Sequence, residues 1–505
     1  MKSLIKKIFN TKISTSYMFI LFGVSALMLT GYFSYAWFTV QGVQKYSVVT
    51  GNLYGTVAIG TSSVAINGQG VITYTPTTDS DTITLTVTNT NDRTVKNSIY
   101  YYDLSDSSIE IGYISDSPTI PTVEGVSVET GKTLTYKIKI KEANGKQIKI
   151  GSSMGLNNFN LILPSNALTF NQINEEYTAE ALITKANSED LDYNTATDDQ
   201  KNQMWTFSHG ETEQTGTLTD YRYIGANPNN YVKFNDELWR IIGVFDVDDG
   251  TGKIEKRFKI IRNESLGAFS FDNKDTYSGA ATDNGDNAWC TARLYYLLND
   301  GYETNEWGGS LYWNSKEGQC YNKPNGVVAP CNFTETGLKD SYKSMIGTSL
   351  WYIGGNETYD DLTAATFYTA ERSKSSNVFR SRCFQTIAKV GLVYSSDYGY
   401  ATSGSSTTNR TSCLNTILYN WDTTDLDECR LNSWLFIDKN HQWTLTPYLV
   451  SGYSQSNVFA IGKKGRVRND TAVTNNMVRP VVFLKSSVKI TSGTGSSTDP
   501  FILAE

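Results

Sequence analysis

Between residues 80 and 150 apolar and polar positions alternate with a period of two. Over residues 82–89, Ile83, Leu85 and Val87 share one face while Thr84, Thr86 and Thr88 share the other, as in a strand with one buried and one wet side. Leu134, Tyr136, Ile138 and Ile140 alternate in the same way with Thr135, Lys137, Lys139 and Lys141. Asn144-Gly145 then offers the residues of a type I′ turn ahead of Ile148 and Ile150, which predicts a hairpin. Short strands divided by Gly, Asn and Asp turns predict an antiparallel β-sandwich over residues 42–170. The lysine row ending at Lys141 reads as a solvated face or a protected edge.

Residues 171–220 hold no sustained period. Residues 179–186 fit a short helix and 190–200 are acidic and polar, so the segment reads as a linker. His209 sits there beside Ser208 and Glu211, but triads assemble in space and not among chain neighbours. Residues 221–505 read as a second module. Residues 231–234, a turn at Asn235-Asp236 and the nearly continuous apolar run 238–245 predict a hairpin whose second strand is buried on both faces. Asp246, Asp248 and Asp249 before Gly250-Thr251-Gly252 resemble a calcium loop, yet Gly250 and Arg257 stand where an EF-hand needs oxygen ligands. A glycine turn leading into a strand over 256–262 is expected instead. No cofactor is expected, and calcium only from carboxylates gathered in space. Helical spacing predicts helices over 289–298 and 338–350. Gly, Ser and Tyr-rich loops fill much of the rest, notably 395–409, and strands are expected at QWTLTP, at 457–461 and in VRPVVFL, with Pro480 at the mouth of the last. The expected fold is therefore mainly β: a β-sandwich followed by an α+β module with long loops.

The first 41 residues stand apart. Lys2, Lys6, Lys7 and Lys12 are the only charges ahead of Tyr17 to Phe38, a run of about 22 uncharged residues that suffices to cross a bilayer as a helix. Lysines before the run predict a cytoplasmic N-terminus with the remainder exported. Ser34-Tyr35-Ala36 fits a signal-peptidase cut, and Tyr35, Trp37 and Phe38 fit the aromatic belt of an uncleaved anchor equally well. The segment is a signal peptide or a signal anchor.

Composition narrows the function. Lys+Arg 44 against Asp+Glu 51 gives a net charge of −7 without a basic stripe, which argues against nucleic acid as a partner. Two histidines leave little room for the commonest general base and metal ligand. All six cysteines, Cys290, Cys320, Cys331, Cys383, Cys413 and Cys429, fall in the distal half, with no CxxC and no histidine close by. An even count in an exported domain predicts three disulfides. Sequence neighbours are expected to pair, Cys320 with Cys331 and Cys413 with Cys429, leaving Cys290 with Cys383.

The start YFSYAWFT and the stretch TLTVTNTND resemble exported sandwich domains of Gram-positive bacteria, such as the camelysin and biofilm-fibre family. That resemblance implies self-assembly through the sandwich as one role. Across residues 221–505, the stretches YRYIGANPNNYVKFNDELWRIIGVF, KRFKIIRNESLG, AKVGLVYSSDYGYATSGSSTTNRTSCLNTILYNW, QWTLTP and MVRPVVFLKSSVKITSGTGSSTDPF resemble a widespread family of exported proteins from gut Firmicutes with no assigned activity. This second resemblance implies a C-type-lectin-like fold, distantly similar to the formylglycine-generating enzyme. The cysteine pair on which that enzyme depends has no counterpart beyond Cys429, and the EPN, QPD and WND tripeptides of calcium-dependent lectins do not occur.

What remains is loop display for recognition. Tyr398, Tyr400, Tyr448 and Tyr453, set among Ser, Gly and Asp, are the expected ligand-binding residues, since Tyr leads among recognition hot spots. Trp434 and Trp443 read as core, Arg479 as a structural residue capping or pairing inside the module, and Lys463, Lys464, Arg466 and Arg468 as a solvated hairpin. His441 has no evident acid–base partner. The expected protein lies on the outer face of the membrane or is secreted, and carries a non-catalytic, lectin-like head on a sandwich stalk. Its expected partners are the membrane, through the N-terminal helix, and an extracellular glycan or protein. A glycan-acting enzyme and a fibre subunit are the alternatives.

Overall fold

A computed structural model describes residue 24 and residues 53–505, less 79, 103, 105–107, 115–116, 157–160, 162, 174–176, 274–284, 303–308, 375–382, 439 and 450–455. The expected N-terminal membrane helix thus falls outside the described residues. Among the described residues no helix is long and apolar enough to cross a membrane. The chain forms two units, residues 1–173 and 174–505.

The first unit holds strands β1 (Tyr54–Ile59), β2 (Ser62–Asn67), β3 (Gln69–Tyr74), β4 (Ser80–Asn89), β5 (Val95–Tyr102), β6 (Glu110–Ile114), β7 (Val126–Val128), β8 (Thr133–Lys141), β9 (Ile148–Leu156), β10 (Ala167–Leu168) and β11 (Asn171–Ile173). They pair in the order β10-β5-β9-β3-β2-β1-β4-β8-β6-β11, with β7 on β5. Between β2 and β3 only Asn67 stands opposite Gln69, across Gly68 at φ +73°. The sheet folds over at that corner, a conformation that glycine adopts freely. The two halves close on one core, to which β4 and β8 give Leu85, Val87 and Ile138 while β5 and β9 give Ile99, Ile148 and Ile150. Tyr136 on β8 donates its hydroxyl to Asn97 on β5 at 2.9 Å, across this core and not along the sheet. The predicted sandwich is present.

Asn144-Gly145 forms a turn, with Gly145 at φ +73°, but not the predicted hairpin. β8 pairs with β4 and β6, while β9 pairs with β3 and β5. The turn carries the chain from one layer to the other, and local turn chemistry cannot distinguish the two outcomes. Lys137 and Lys139 stand opposite Thr84 and Thr82 on β4. They form a wet face of an interior strand and not an edge.

The second unit adds β12 (Trp205–His209), β13 (Leu218–Arg222), β14 (Tyr231–Phe234), β15 (Glu237–Asp248), β16 (Ile254–Arg262), β17 (Ala268–Ser270), β18 (Glu317–Lys323), β19 (Val327–Asn332), β20 (Ser349–Tyr352), β21 (Gln385–Ala388), β22 (Val390–Gly391), β23 (Gln442–Pro447), β24 (Asn457–Ile461), β25 (Val467–Thr471), β26 (Asn475–Met477), β27 (Val481–Phe483), β28 (Lys489–Ser492) and β29 (Phe501–Ala504). Its main sheet runs β22-β27-β16-β15-β14-β29-β28, with β13 on β15 and β12 on β13, and a second sheet runs β17-β26-β23-β24-β25. The predicted β14–β15 hairpin forms with Asn235 and Asp236 at φ +59° and +61°, and Asp248 caps the glycine turn by accepting from Gly250 and Gly252 N–H.

Three expectations differ. The segment read as a linker gives its first three residues to β11 in the first unit, and all the rest is built into the second unit. Trp205 and Phe207 are buried, and β13 lies so close on β15 that a Cβ at Gly243 would meet the Tyr221 carbonyl at 2.0 Å. Residues 338–350 hold only a short helix, Asp340–Lys343, before β20 pairs with β21. Tertiary pairing of the aromatic run SLWY overrides the local helical spacing. Within the expected loop 395–409, Ser395–Tyr400 is a wholly buried helix. The three disulfides join Cys290 to Cys383, Cys320 to Cys331 and Cys413 to Cys429.

Candidate functional site

Charged side chains gather first inside the second unit. Asp397 accepts from Arg222 Nη1 at 2.6 Å, from Lys259 Nζ at 2.5 Å and from the Tyr394 N–H at 3.0 Å. Arg222 turns its Nη2 to Asp220 at 2.8 Å, and His209 Nε2 lies 3.0 Å from the same carboxylate. Next to them Glu371 accepts from the Ser396 N–H at 3.0 Å and from Thr446 Oγ1 at 2.9 Å, with Arg372 at 3.7 Å. Three acids thus face four basic side chains, Arg222, Lys259, His209 and Arg372, all buried. Burial works against the charge on Asp397, but Lys259 and Arg222 outweigh it and hold the carboxyl below its usual range. Burial, with the Asp397 charge adding to it, pushes Glu371 upward against the pull of Arg372 and the Ser396 hydrogen bonds. No substrate can reach this enclosed cluster, which acts as a clamp between β13, β16 and the two helices Ala364–Glu371 and Ser395–Tyr400.

His209 stacks on Tyr368 with ring centroids 3.7 Å apart. Its partner is Asp220, not Ser208 or Glu211. Burial pulls it below the ordinary histidine range, more strongly than Asp220 pulls it up. Below about pH 6.5 the unfolded chain therefore takes up a proton that the folded chain does not, so this stabilisation is complete above that pH and is lost as the pH falls. Urea midpoints of the second unit are expected to drop between about pH 7 and pH 5, and a His209→Phe variant is expected to flatten that slope.

The surface of the helix Ala364–Glu371 forms the candidate site. Thr363 caps it by accepting from the Thr366 N–H at 3.3 Å, while Phe367, Tyr368 and Glu371 turn inward. Its outward Thr366 and Thr369 form one wall of a cleft of about 670 Å³, and the loop from Gly355 to Asp361 forms the other. That loop is held by Asn356 Nδ2 on Thr358 Oγ1 at 2.7 Å and by the Thr358 hydroxyl on Asp361. It presses onto β23, where a Cβ at Gly355 would meet the Pro447 carbonyl at 2.2 Å, and the Leu449 N–H donates to the Asn356 carbonyl at 2.8 Å. The cleft is lined by hydroxyls, the Asn356 amide and the exposed carboxylates of Glu357 and Asp361, together with the apolar Leu362 and Ala370, and no lysine or arginine is among its lining residues. Tyr448 borders the Asn356 strand bridge. Its half-buried ring packs edge-on to Tyr359 at 5.8 Å, and Tyr359 packs on Tyr419 at 5.1 Å.

Of the three expected binding tyrosines among the described residues, Tyr448 neighbours this cleft through its bridge to Asn356 without lining it, and the other two lie in the core. Tyr398 is 0% exposed and donates its hydroxyl to the Gly465 carbonyl at 2.7 Å. Tyr400 is 6% exposed and packs on Phe207 at 4.9 Å. Both are core, because the SSDYGY segment they occupy is an interior helix and not a loop. Tyr453 lies outside the described residues. Trp434 and Trp443 are core as expected, and His441 does have an acid partner, Asp470 at 3.2 Å. Sequence reasoning missed the Asn356–Asp361 loop and the threonine face at Thr366 and Thr369. Its signal was NETYDDLTAAT, a run of hydrogen-bonding side chains with a helix cap inside it. Among the described residues no group of His, Cys, Asp and Glu is placed to hold a metal ion. No family model, no curated protein and no solved structure matches this chain.

Proposed function

We propose that this is an exported protein, anchored or released by its N-terminal segment, whose second unit binds an extracellular glycan without chemistry of its own. The observation that carries the reading is the cleft next to Tyr448, whose mixed lining sets hydroxyls, an amide and two carboxylates beside Leu362 and Ala370, a combination that suits a hydroxyl-rich ligand. Ligand pockets commonly set a few polar groups in an apolar lining, and this one offers hydrogen bonds along with a neighbouring ring of the kind that stacks on sugars. Three disulfides support an oxidising compartment. The lectin-like resemblance of residues 221–505 supports a loop-displaying head. Glycan-array screening followed by calorimetry is expected to find a binding sugar, with affinity reduced about tenfold or more by Tyr448→Ala. Failure of the folded protein to bind any glycan would sink the reading.

A glycosidase is the second reading, favoured by Glu357 and Asp361 lining the same cleft, since such enzymes work through paired carboxylates. Their exposure counts against it, because the acid of the pair is usually kept in apolar surroundings. Product release by the wild type that Glu357→Gln abolishes while binding persists would establish it.

A further inference from the structure

We infer that the binding surface continues past the Gly355–Asp361 wall of the cleft onto a row of three tyrosines, Tyr448, Tyr359 and Tyr419, and that the ligand is a linear oligosaccharide of several units, not a single terminal sugar. The inference rests on the glycan reading of the cleft and names the class of chain that the same surface accepts.

Three separate elements bring the rings together. Tyr359 belongs to the cleft loop itself, between Thr358 and Asp361, which both line the cleft. Tyr448 follows β23, is tied to that loop by its strand bridge to Asn356, and seats its ring on Phe459 at 5.5 Å. Tyr419 lies on the short helical turn Leu418–Asp422, whose Leu418 and Trp421 are buried. The Leu418 N–H donates at 2.8 Å to the carbonyl of Leu362, another residue of the cleft lining. Backbone contacts therefore fasten both ends of the row to the cleft.

Ring centroids step 5.8 Å from Tyr448 to Tyr359 and 5.1 Å from Tyr359 to Tyr419, at interplanar angles of 78° and 68°. Each step is about the length of one pyranose ring. Beyond Tyr419 the Arg466 guanidinium lies 5.2 Å from the ring and 3.4 Å from Asp422. All three tyrosines are half-buried, so each keeps part of its surface open. Among the described residues none of their hydroxyls makes a hydrogen bond, and none is enclosed. Core tyrosines of this unit differ, as Tyr398 shows by donating to the Gly465 carbonyl. Rings packed on one side with wet tips present an apolar body and a polar end to a partner. A sugar chain meets both, with C–H groups for the rings and hydroxyls for the tips and for the Arg466–Asp422 pair. A single sugar held in the cleft leaves the whole row unused.

The test assays the full chain on a glycan array extended with hexose, N-acetylhexosamine and pentose oligomers, each series running from one unit to six. Binding is expected to strengthen about tenfold or more between two units and four. Tyr419→Ala, outside the cleft, is expected to remove that gain and to leave binding of the one- and two-unit members unchanged. Affinity independent of chain length, or a gain that survives Tyr419→Ala, would overturn the inference and leave the glycan reading in place. An array without a binder of any length overturns both. Should the variant fail to fold, the length dependence of the wild-type chain decides.

Discussion

An Asp397→Asn variant is expected to lose about 3–5 kcal/mol of stability, the usual consequence of breaking a buried ion pair from one side. The exchange keeps the shape of the side chain and removes its charge. Arg222 and Lys259 then remain enclosed, with Asp220 as the nearest acid for the first and none for the second. The single oxygen of asparagine can keep either the bond from Arg222 or those from Lys259 and Tyr394, which share one carboxylate oxygen, and accepts them with less strength than a carboxylate. Urea unfolding followed by tryptophan fluorescence measures the loss. A second substitution, Lys259→Met, is expected to restore part of it, because removing both partners relieves the unpaired charge. A loss below about 1 kcal/mol in the single variant would show that the cluster does not clamp the fold.

The second large effect concerns the bridge between Cys290 and Cys383, which closes a separation of 93 residues. Loop-closure entropy in the unfolded chain assigns such a bridge about 4–5 kcal/mol, against about 3 kcal/mol for the bridges that span 11 and 16 residues. The three paired Cys→Ala variants are thus expected to rank in unfolding temperature, with the Cys290–Cys383 variant lowest. Thiol titration of the denatured, unreduced protein is expected to find none of the six groups free. Equal destabilisation by all three pairs would point to local packing in place of chain entropy.

Strand alternation made the sandwich legible, because Leu85, Val87, Ile138 and Ile150 repeat with the period that a one-sided sheet imposes. The bridges followed from chain proximity. Where sequence reasoning failed, distant contacts decided. Nothing local around Asn144-Gly145 says whether the next strand pairs with the last or crosses to the opposite layer. Tyr398 and Tyr400 look exposed among Ser, Gly and Asp until Asp397 is seen to anchor their helix between Arg222 and Lys259. Those two cations, set in the otherwise strand-like runs TDYRY and KRFKII, were the available sign of an internal ion cluster. An acid roughly 140 residues away along the chain cannot be matched to Lys259 without the fold (|i−j| 138). The cleft stayed hidden for the same reason, since its two walls meet only because Gly355 lets the loop settle onto Pro447.

The helix Ala364–Glu371 has two unlike sides, and that division bears on how such a protein diversifies. Its inner residues face the charge clamp and the core, whereas Thr366 and Thr369 face the cleft, Thr366 also closing the capping box by accepting from the Thr363 N–H at 2.7 Å and Thr369 donating to the Ala365 carbonyl at 3.2 Å. Exchanges at Thr369 and at the exposed Glu357, which neither cap the helix nor hold the loop, can reshape ligand preference while leaving the scaffold intact. Selectivity in this molecule is separable from foldability, so libraries confined to those two sites should yield new specificities at little risk of collapse.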